Sequence, residues 1–328
     1  MTIGNNKSVT LESDIYATDI SLLGQGAKLI VNPSAQNINV HTDLAINSQG
    51  DMNDGYGKIQ VKGNLNNTVI FHRDISEQTE LLVNGRHTDT GRIGEIDIET
   101  GKKTEFKGVV SAKKIKVAVN DVVFEEKLDM EQYAADVVVD TGNLEFTGRG
   151  KVKFDKDFIG DITTKNANQG EVTFAKTHNI YAVGELNKRI EKLIFTGNHA
   201  HNLHNNIYAA EVNFDAGTYN VHANPITIDG NANINGSTFD LRHNLTFTGD
   251  VVLSNNITLN AAVGTGLIFQ NNAPVAAAAT NIIITVNGAH PVDDAAALAI
   301  ITVNGAPFAP VGHNYDAGTG TLTLPVNA

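Results

Sequence analysis

Nine of the thirteen phenylalanines in this 328-residue chain close the same short pattern, Val or Leu, any residue, then Phe. The nine are Val69-Ile-Phe71, Val122-Val-Phe124, Leu144-Glu-Phe146, Val152-Lys-Phe154, Val172-Thr-Phe174, Leu193-Ile-Phe195, Val212-Asn-Phe214, Leu245-Thr-Phe247 and Leu267-Ile-Phe269. Three of them continue as Phe-Thr-Gly, at 146–148, 195–197 and 247–249. In a strand, positions i and i+2 share a face, so each Val/Leu and its Phe point inward together while the middle residue points out. Glu145, Lys153, Thr173 and Asn213 fit that outward position; Ile70, Val123, Ile194 and Ile268 are apolar there, which implies that some outer faces are partly covered.

The phenylalanines recur after 22 residues (124 to 146), 20 (154 to 174), 21 (174 to 195), 19 (195 to 214) and 22 (247 to 269). A period near twenty is what one turn of a β-solenoid requires, two or three short strands with their turns. The segments between them, such as Ile226-Thr-Ile-Asp-Gly-Asn-Ala-Asn-Ile-Asn-Gly, are brief β stretches cut by residues that tolerate a positive φ. Such strands are too short to stand as isolated hairpins and need stacked neighbours. The expectation is an all-β, parallel β-helix or β-solenoid of about 16 rungs, a monomeric rod on the order of 75 Å long at about 4.8 Å per rung. Residues 1–270 carry the repeats, and 271–328 read as less regular terminal rungs or an irregular cap over an edge that would otherwise stay unpaired. Three breaks interrupt the pattern. Glu125–Asp136 has the composition of a one- or two-turn helix or a loop excursion, Gly184–Lys192 reads as a protruding charged turn, and Asp293-Asp-Ala-Ala-Ala-Leu298 reads as a capped helical turn.

Composition excludes several function classes. Cysteine is absent, which removes disulfides, zinc fingers and thiol nucleophiles. A formal net charge of −12 argues against a nucleic-acid partner held by bulk electrostatics. The polar start Met1-Thr-Ile-Gly-Asn-Asn-Lys7 has no apolar core of a signal peptide, and no apolar run is long enough for a membrane helix.

The stretch Leu193-Ile-Phe-Thr-Gly-Asn-His-Ala-His-Asn-Leu-His-Asn-Asn-Ile-Tyr-Ala-Ala-Glu-Val-Asn-Phe-Asp-Ala-Gly-Thr-Tyr-Asn-Val221, with Val172-Thr-Phe-Ala-Lys176 before it, resembles the passenger region of rickettsial surface cell antigen autotransporters of the outer-membrane protein A and B type. A Phe-Thr-Gly strand, an Asn-Ile-Tyr strand and a Gly-Thr-Tyr-Asn turn follow in that family's order. The match is closest over 170–250, with looser repeat similarity over 60–270. The resemblance implies a right-handed β-helical passenger on a Gram-negative cell surface, exported by the autotransporter route and used to adhere to and invade host cells. Its partner would be a host cell-surface protein or glycan, with no cofactor and no enzymatic residues. The family's signal sequence and carboxy-terminal membrane barrel have no counterpart in this chain.

Three constellations bear on function. His199-Ala-His201-Asn-Leu-His204, with His178 and His222 a rung away on either side, is the candidate metal cluster, because His199 and His201 share a strand face. Against it, no cysteine joins them and the nearest carboxylates, Glu211 and Asp215, lie elsewhere in the repeat, so a solvated polar turn without metal is the reading adopted. The acidic groups Asp155, Asp157 and Asp161, and Asp89, Glu95, Asp97 and Glu99, are what a β-helix polysaccharide lyase or hydrolase would use for paired acid–base work. Interleaved Lys151, Lys153 and Lys156, and the following Lys102 and Lys103, favour alternating charges on a solvated face. Tyr181, Tyr208 and Tyr219 are contact residues if they face outward and core residues if they stack inward. The functional expectation is a non-enzymatic adhesin; a secreted β-helix lyase or hydrolase and a structural spacer stalk are the alternatives.

Overall fold

The computed structural model describes residues 1–48, 56–64, 66–76, 79–83, 86–90, 92–134, 137–262, 264–287 and 293–326. It is a β-solenoid of about 12 turns, 56% strand and 2% helix, in which parallel strands stack. Two compact units divide it, Met1–Thr173 and Phe174–Ala328.

In the first unit each turn contributes strands to three faces. The first face stacks Ser8–Leu11, Lys28–Val31, Tyr56–Val61, Ile93–Ile98, the second half of Val110–Val117, Asn143–Phe146 and Asp161–Thr164, all parallel. The second stacks Ile15–Ala17, Ile38–Thr42, Thr68–Phe71, Lys103–Phe106, Asp121–Phe124 and Lys151–Phe154. The third is made of two- and three-residue strands and bridges: Ile20–Leu22, Ile46–Asn47, Ile75, Val110, Leu128–Asp129 and Phe158–Ile159. Burial alternates along these strands as period two requires, and the inward residues form one continuous aliphatic and aromatic interior.

All nine pattern phenylalanines are buried, at 1% exposure or less. They do not, however, share one face. Phe71, Phe106, Phe124 and Phe154 form a stack on the second face, with ring centroids 5.1, 4.9 and 5.5 Å apart and planes within 17° of parallel. Phe146 sits on the first face, opposite Val117 and Thr164. The 22-residue step from Phe124 to Phe146 is therefore a step between faces, and the rung partner of Phe124 is Phe154. Any strand of this triangular coil can end in a large inward residue, so the pattern marks direction without marking face. Phe106 belongs to the stack although Thr104 replaces the Val or Leu two residues before it.

The turn count falls short of sixteen because rungs vary in length. Phe124 follows its partner Phe106 by 18 residues, whereas Phe106 follows Phe71 by 35. The surplus leaves the coil as an antiparallel hairpin, Thr79–Val83 with Arg86–Thr90. A second hairpin, Glu131–Ala134 with Val137–Thr141, leaves at the same corner, between the third and first faces. The segment from Glu125, read as helix or loop, is thus a short strand followed by a hairpin; its cross-strand hydrogen bonds outweigh the helical propensity of its composition, and residues 135–136 lie outside the described residues.

In the second unit, Ile190–Phe195, Ile207–Phe214 and Ile226–Ile234 stack in parallel. The last is long enough to serve two faces: its start pairs with Leu245–Phe247 and its end with Val251–Leu253. The bend between them falls at Gly230, φ 148°, where a Cβ would lie 1.7 Å from the Ala209 carbonyl oxygen, so only glycine fits. The remaining face stacks His178–Ile180, His199–Leu203, Gly217–Val221, Thr238–Leu241, Ile257–Ala262 and Thr280–Asn287. Beyond it the pairing changes sense: Thr321–Val326 runs antiparallel along Thr280–Asn287, and Asn314–Asp316 along Thr321–Val326. The helix Asp294–Leu298 is capped by Asp293, whose Oδ1 accepts from the Ala296 amide at 2.8 Å, as its sequence predicts.

Outward positions also stack. Asn220 donates to Asn202 and Asn202 to Asn179, each at 2.8 Å, forming an amide ladder on the second unit. Asn255, Asn235 and Asp215 make a second one, at 2.6 and 2.8 Å. Each link satisfies a side-chain donor with the neighbouring rung and fixes register.

Candidate functional site

The histidine cluster separates in the structure. His201 points into the core, in a column whose register runs His178, His201, Tyr219, Phe239, Leu259. Its ring is stacked on Tyr219 at 5.4 Å and lies 4.8 Å from Phe195, with His178 at 6.1 Å on the other side. His201 is fully buried and neither ring nitrogen has a hydrogen-bond partner. Burial, then the neighbouring His178 and His199, pull its pKa down to about 3, so it is neutral. His199 shares its strand face as predicted but sits half-buried at the strand's start. His204 faces outward, stacked on Tyr181 at 5.1 Å. His222 pairs outside with Asp240 at 3.0 Å. The three candidates His199, His201 and His204 thus do not converge, and among the described residues no three His, Asp or Glu side chains are grouped as a metal ion would require.

The tyrosines divide as well. Tyr219 is a core residue whose hydroxyl donates to the Asp215 carbonyl at 2.8 Å, while Tyr181 and Tyr208 are half-exposed on the outside.

The acidic residues of the first face sit in a ladder of alternating sign. Lys58 Nζ reaches Glu95 at 2.5 Å and Asp97 at 2.7 Å; Lys116 reaches the other oxygen of Glu95 at 2.8 Å; Lys114 reaches Glu145 at 2.5 Å. Burial pushes the Glu95 carboxyl up, but the two lysines outweigh it and hold it below the usual range. A general acid needs the opposite shift, so Glu95 is poised as a structural anion. Asp155 is likewise paired with Lys153, at 2.7 Å.

Two surfaces take shape in the structure, the first of them in part at the break read over Glu125–Asp136. The first is the pair of hairpins, which lie against each other beside the coil. Arg92, 1% exposed, staples their base: it donates to the Met130 carbonyl and pairs with Asp140 at 2.6 Å. The available signal was Asn84-Gly85 between Val83 and Arg86, the dipeptide most characteristic of a tight hairpin. The turn Glu185–Lys188, within the stretch 184–192 read as a protruding charged turn, does project and raises Leu186 to 68% exposure.

The second surface is a groove of about 420 Å³ across three rungs of the first unit, lined by Tyr16, Ala17, Thr18, His41, Thr42, Asp43, His72 and Arg73. Tyr16 lies opposite His41 in register, and their rings stack at 4.7 Å and 4°. His41 stacks in turn on His72 at 3.8 Å and 14°. His72 Nε2 donates to Asn39 Oδ1 at 3.1 Å, while the Asn39 backbone N–H donates to Asp14 Oδ1 at 2.7 Å and its side-chain Nδ2 does so at 3.3 Å. Burial, with His41 and Lys107 nearby, keeps the His72 pKa below its ordinary value. Sequence spacing could not show this, because the rungs carrying Tyr16, His41 and His72 differ in length.

Among the described residues no helix is long and apolar enough to cross a membrane. No protein-family model, curated protein or solved structure matches the chain.

Proposed function

We propose that this chain is a non-enzymatic binding protein, a β-solenoid passenger displayed on a Gram-negative cell surface that engages a host cell-surface protein or glycan. The observation that carries this reading is the stapled hairpin pair, which projects from one corner of an otherwise regular coil. A solenoid that served only as a stalk would gain nothing from rungs lengthened to 35 residues, whereas a rigid coil bearing ordered protrusions presents a preorganised contact surface. The resemblance over 170–250 supplies the cell-surface setting. Two features speak against the lyase or hydrolase alternative: Glu95 and Asp97 are neutralised by lysines, and the Glu95 pKa is shifted in the direction opposite to that of a general acid.

The test is binding of the purified chain to cultured mammalian cells, with a variant in which residues 131–141 are replaced by a short Gly-Ser linker. Saturable binding that falls at least about tenfold in the variant supports the reading. Absence of cell binding at micromolar concentration would leave the spacer alternative in its place.

A further inference from the structure

We propose that the outward side of the second unit's sheet running from His178–Ile180 to Thr280–Asn287 is an ice-binding face, a function that stands apart from the adhesive reading and does not depend on it. The outward residues of these strands form two columns. One runs Ala200, Thr218, Thr238, Thr258, Ile283, and the other Asn179, Asn202, Asn220, Asp240, Asn260, Thr285. Each of these residues is at least partly open to solvent. Three consecutive rungs repeat one motif, Thr218-Tyr-Asn220, Thr238-Phe-Asp240 and Thr258-Leu-Asn260, and the parallel register runs unbroken through them. The middle residue of each motif is buried, so the flanking pair stands outward together.

Ice is a lattice, so a surface recognises it by repeat. Rungs about 4.8 Å apart and alternate residues about 6.7 Å apart along a strand make a rectangular net of outward groups. Water oxygens in the prism face of hexagonal ice repeat at about 4.5 and about 7.4 Å, so across the three threonine rungs the net stays within about 1 Å of the lattice. The net is also fixed before contact. Threonine is stiff at χ1. Asn220 donates to Asn202 and Asn202 to Asn179, each at 2.8 Å, which holds the amides in place. Groups already ordered lose little freedom when water orders on them. Charge and area select the occupant. The chain carries a net charge of −12, yet Asp240 is the one charged group in the two columns and it pairs with His222 at 3.0 Å, so the face complements a neutral lattice. Six rungs by two columns cover on the order of 350 Å², under half of the roughly 800 Å² that each side of a stable protein interface buries. Neither column holds an aromatic ring on which a sugar could stack.

The experiment measures the gap between melting and freezing of a single ice crystal in a solution of the full chain, together with the crystal's shape. Wild type is compared with two variants on the face, Thr238→Tyr and Thr258→Lys, and with Thr163→Tyr, an outward position on the first unit paired with Glu145. Circular dichroism checks that each folds, and either face variant that does so decides the outcome. Wild type is expected to open a gap and to facet the crystal, the face variants to lose at least about fivefold of the gap because a bulky or charged group lifts the net off the lattice, and Thr163→Tyr to match wild type. No gap with wild type, a gap that survives in a folded face variant, or an equal loss in all three variants overturns the assignment. Binding to mammalian cells is read separately, so the adhesive reading and the ice-binding face stand or fall independently.

Discussion

At the scale of the residue, His201 is the group least suited to its surroundings. Its inward neighbours are His178, Phe195 and Tyr219, with His199 on the same strand; two of these are basic and two aromatic. Its folded pKa of about 3 lies below the ordinary 6.5, so the unfolded chain binds the extra proton first. The stability it permits is therefore full above pH 6.5 and is lost as pH falls toward 3. Replacing it by Phe continues the Tyr219–Phe239 column without a titrating group. His201→Phe is expected to retain on the order of 3 kcal/mol of the stability that wild type loses between about pH 7 and pH 4. Urea denaturation of both proteins at the two pH values measures this, and equal losses would show that His201 does not carry the acid sensitivity. The sequence put His199 and His201 on one strand face correctly. What it did not carry was that this face is the interior, because His-Ala-His contains no apolar residue at the inward positions and only Leu203 betrays the direction.

Between residue and coil lies the element, and here the two hairpins are where local pattern and structure part. Strand direction was legible from Val/Leu-x-Phe because burial imposes period two whatever the face. Face identity was not, because corners are set by short turns whose length varies from rung to rung. The strands Arg86–Thr90 and Glu131–Ala134, polar or mixed in sequence, are paired each with its hairpin partner, and Arg92 ties the base of the second hairpin through Met130 and Asp140. Burial pushes the Asp140 carboxyl up, but Arg92 and Lys113 outweigh it, and its pKa is held low. Arg92→Ala leaves the Met130 carbonyl without that donor and opens a void under the hairpin; because Asp140 is 39% exposed, the loss is that of the guanidinium's hydrogen bonds, about 1–3 kcal/mol. Lys113, 3.5 Å from Asp140, retains part of the compensation, so the loss should stay local. Limited proteolysis with chymotrypsin is expected to cut Arg92→Ala within 131–141 at least about tenfold faster than wild type, with the Tyr133 site dominant. Unchanged cleavage would mean that pairing between strands alone holds the hairpin.

For the whole molecule, the consequence of a solenoid is that each rung touches only its neighbours, so stability is a sum of local terms and need not be lost everywhere at once. The outward chemistry sharpens this: charge ladders such as Lys58–Glu95–Lys116 serve the first unit, and amide ladders such as Asn179–Asn202–Asn220 the second. Amide ladders do not titrate, and in the second unit the buried His201 is the histidine whose folded pKa is pushed far below its ordinary value, so its column is where acid down to about pH 5 weakens the fold. Lowering pH from about 7 to about 5 protonates the unfolded form of that histidine while the folded form resists, which favours local opening of the rungs around it. Hydrogen exchange read by mass spectrometry, with protection normalised for the intrinsic pH dependence of exchange, should lose protection in His199–Leu203 and Gly217–Val221 by about tenfold or more. The strands Lys28–Val31, Ile93–Ile98 and Val110–Val117 should keep theirs, since among the described residues the buried histidines, His178 and His201, both lie in the second unit. A loss spread evenly over both sets of strands would instead mean that the coil opens as one cooperative body, and the nearest-neighbour account of its stability would have to be given up.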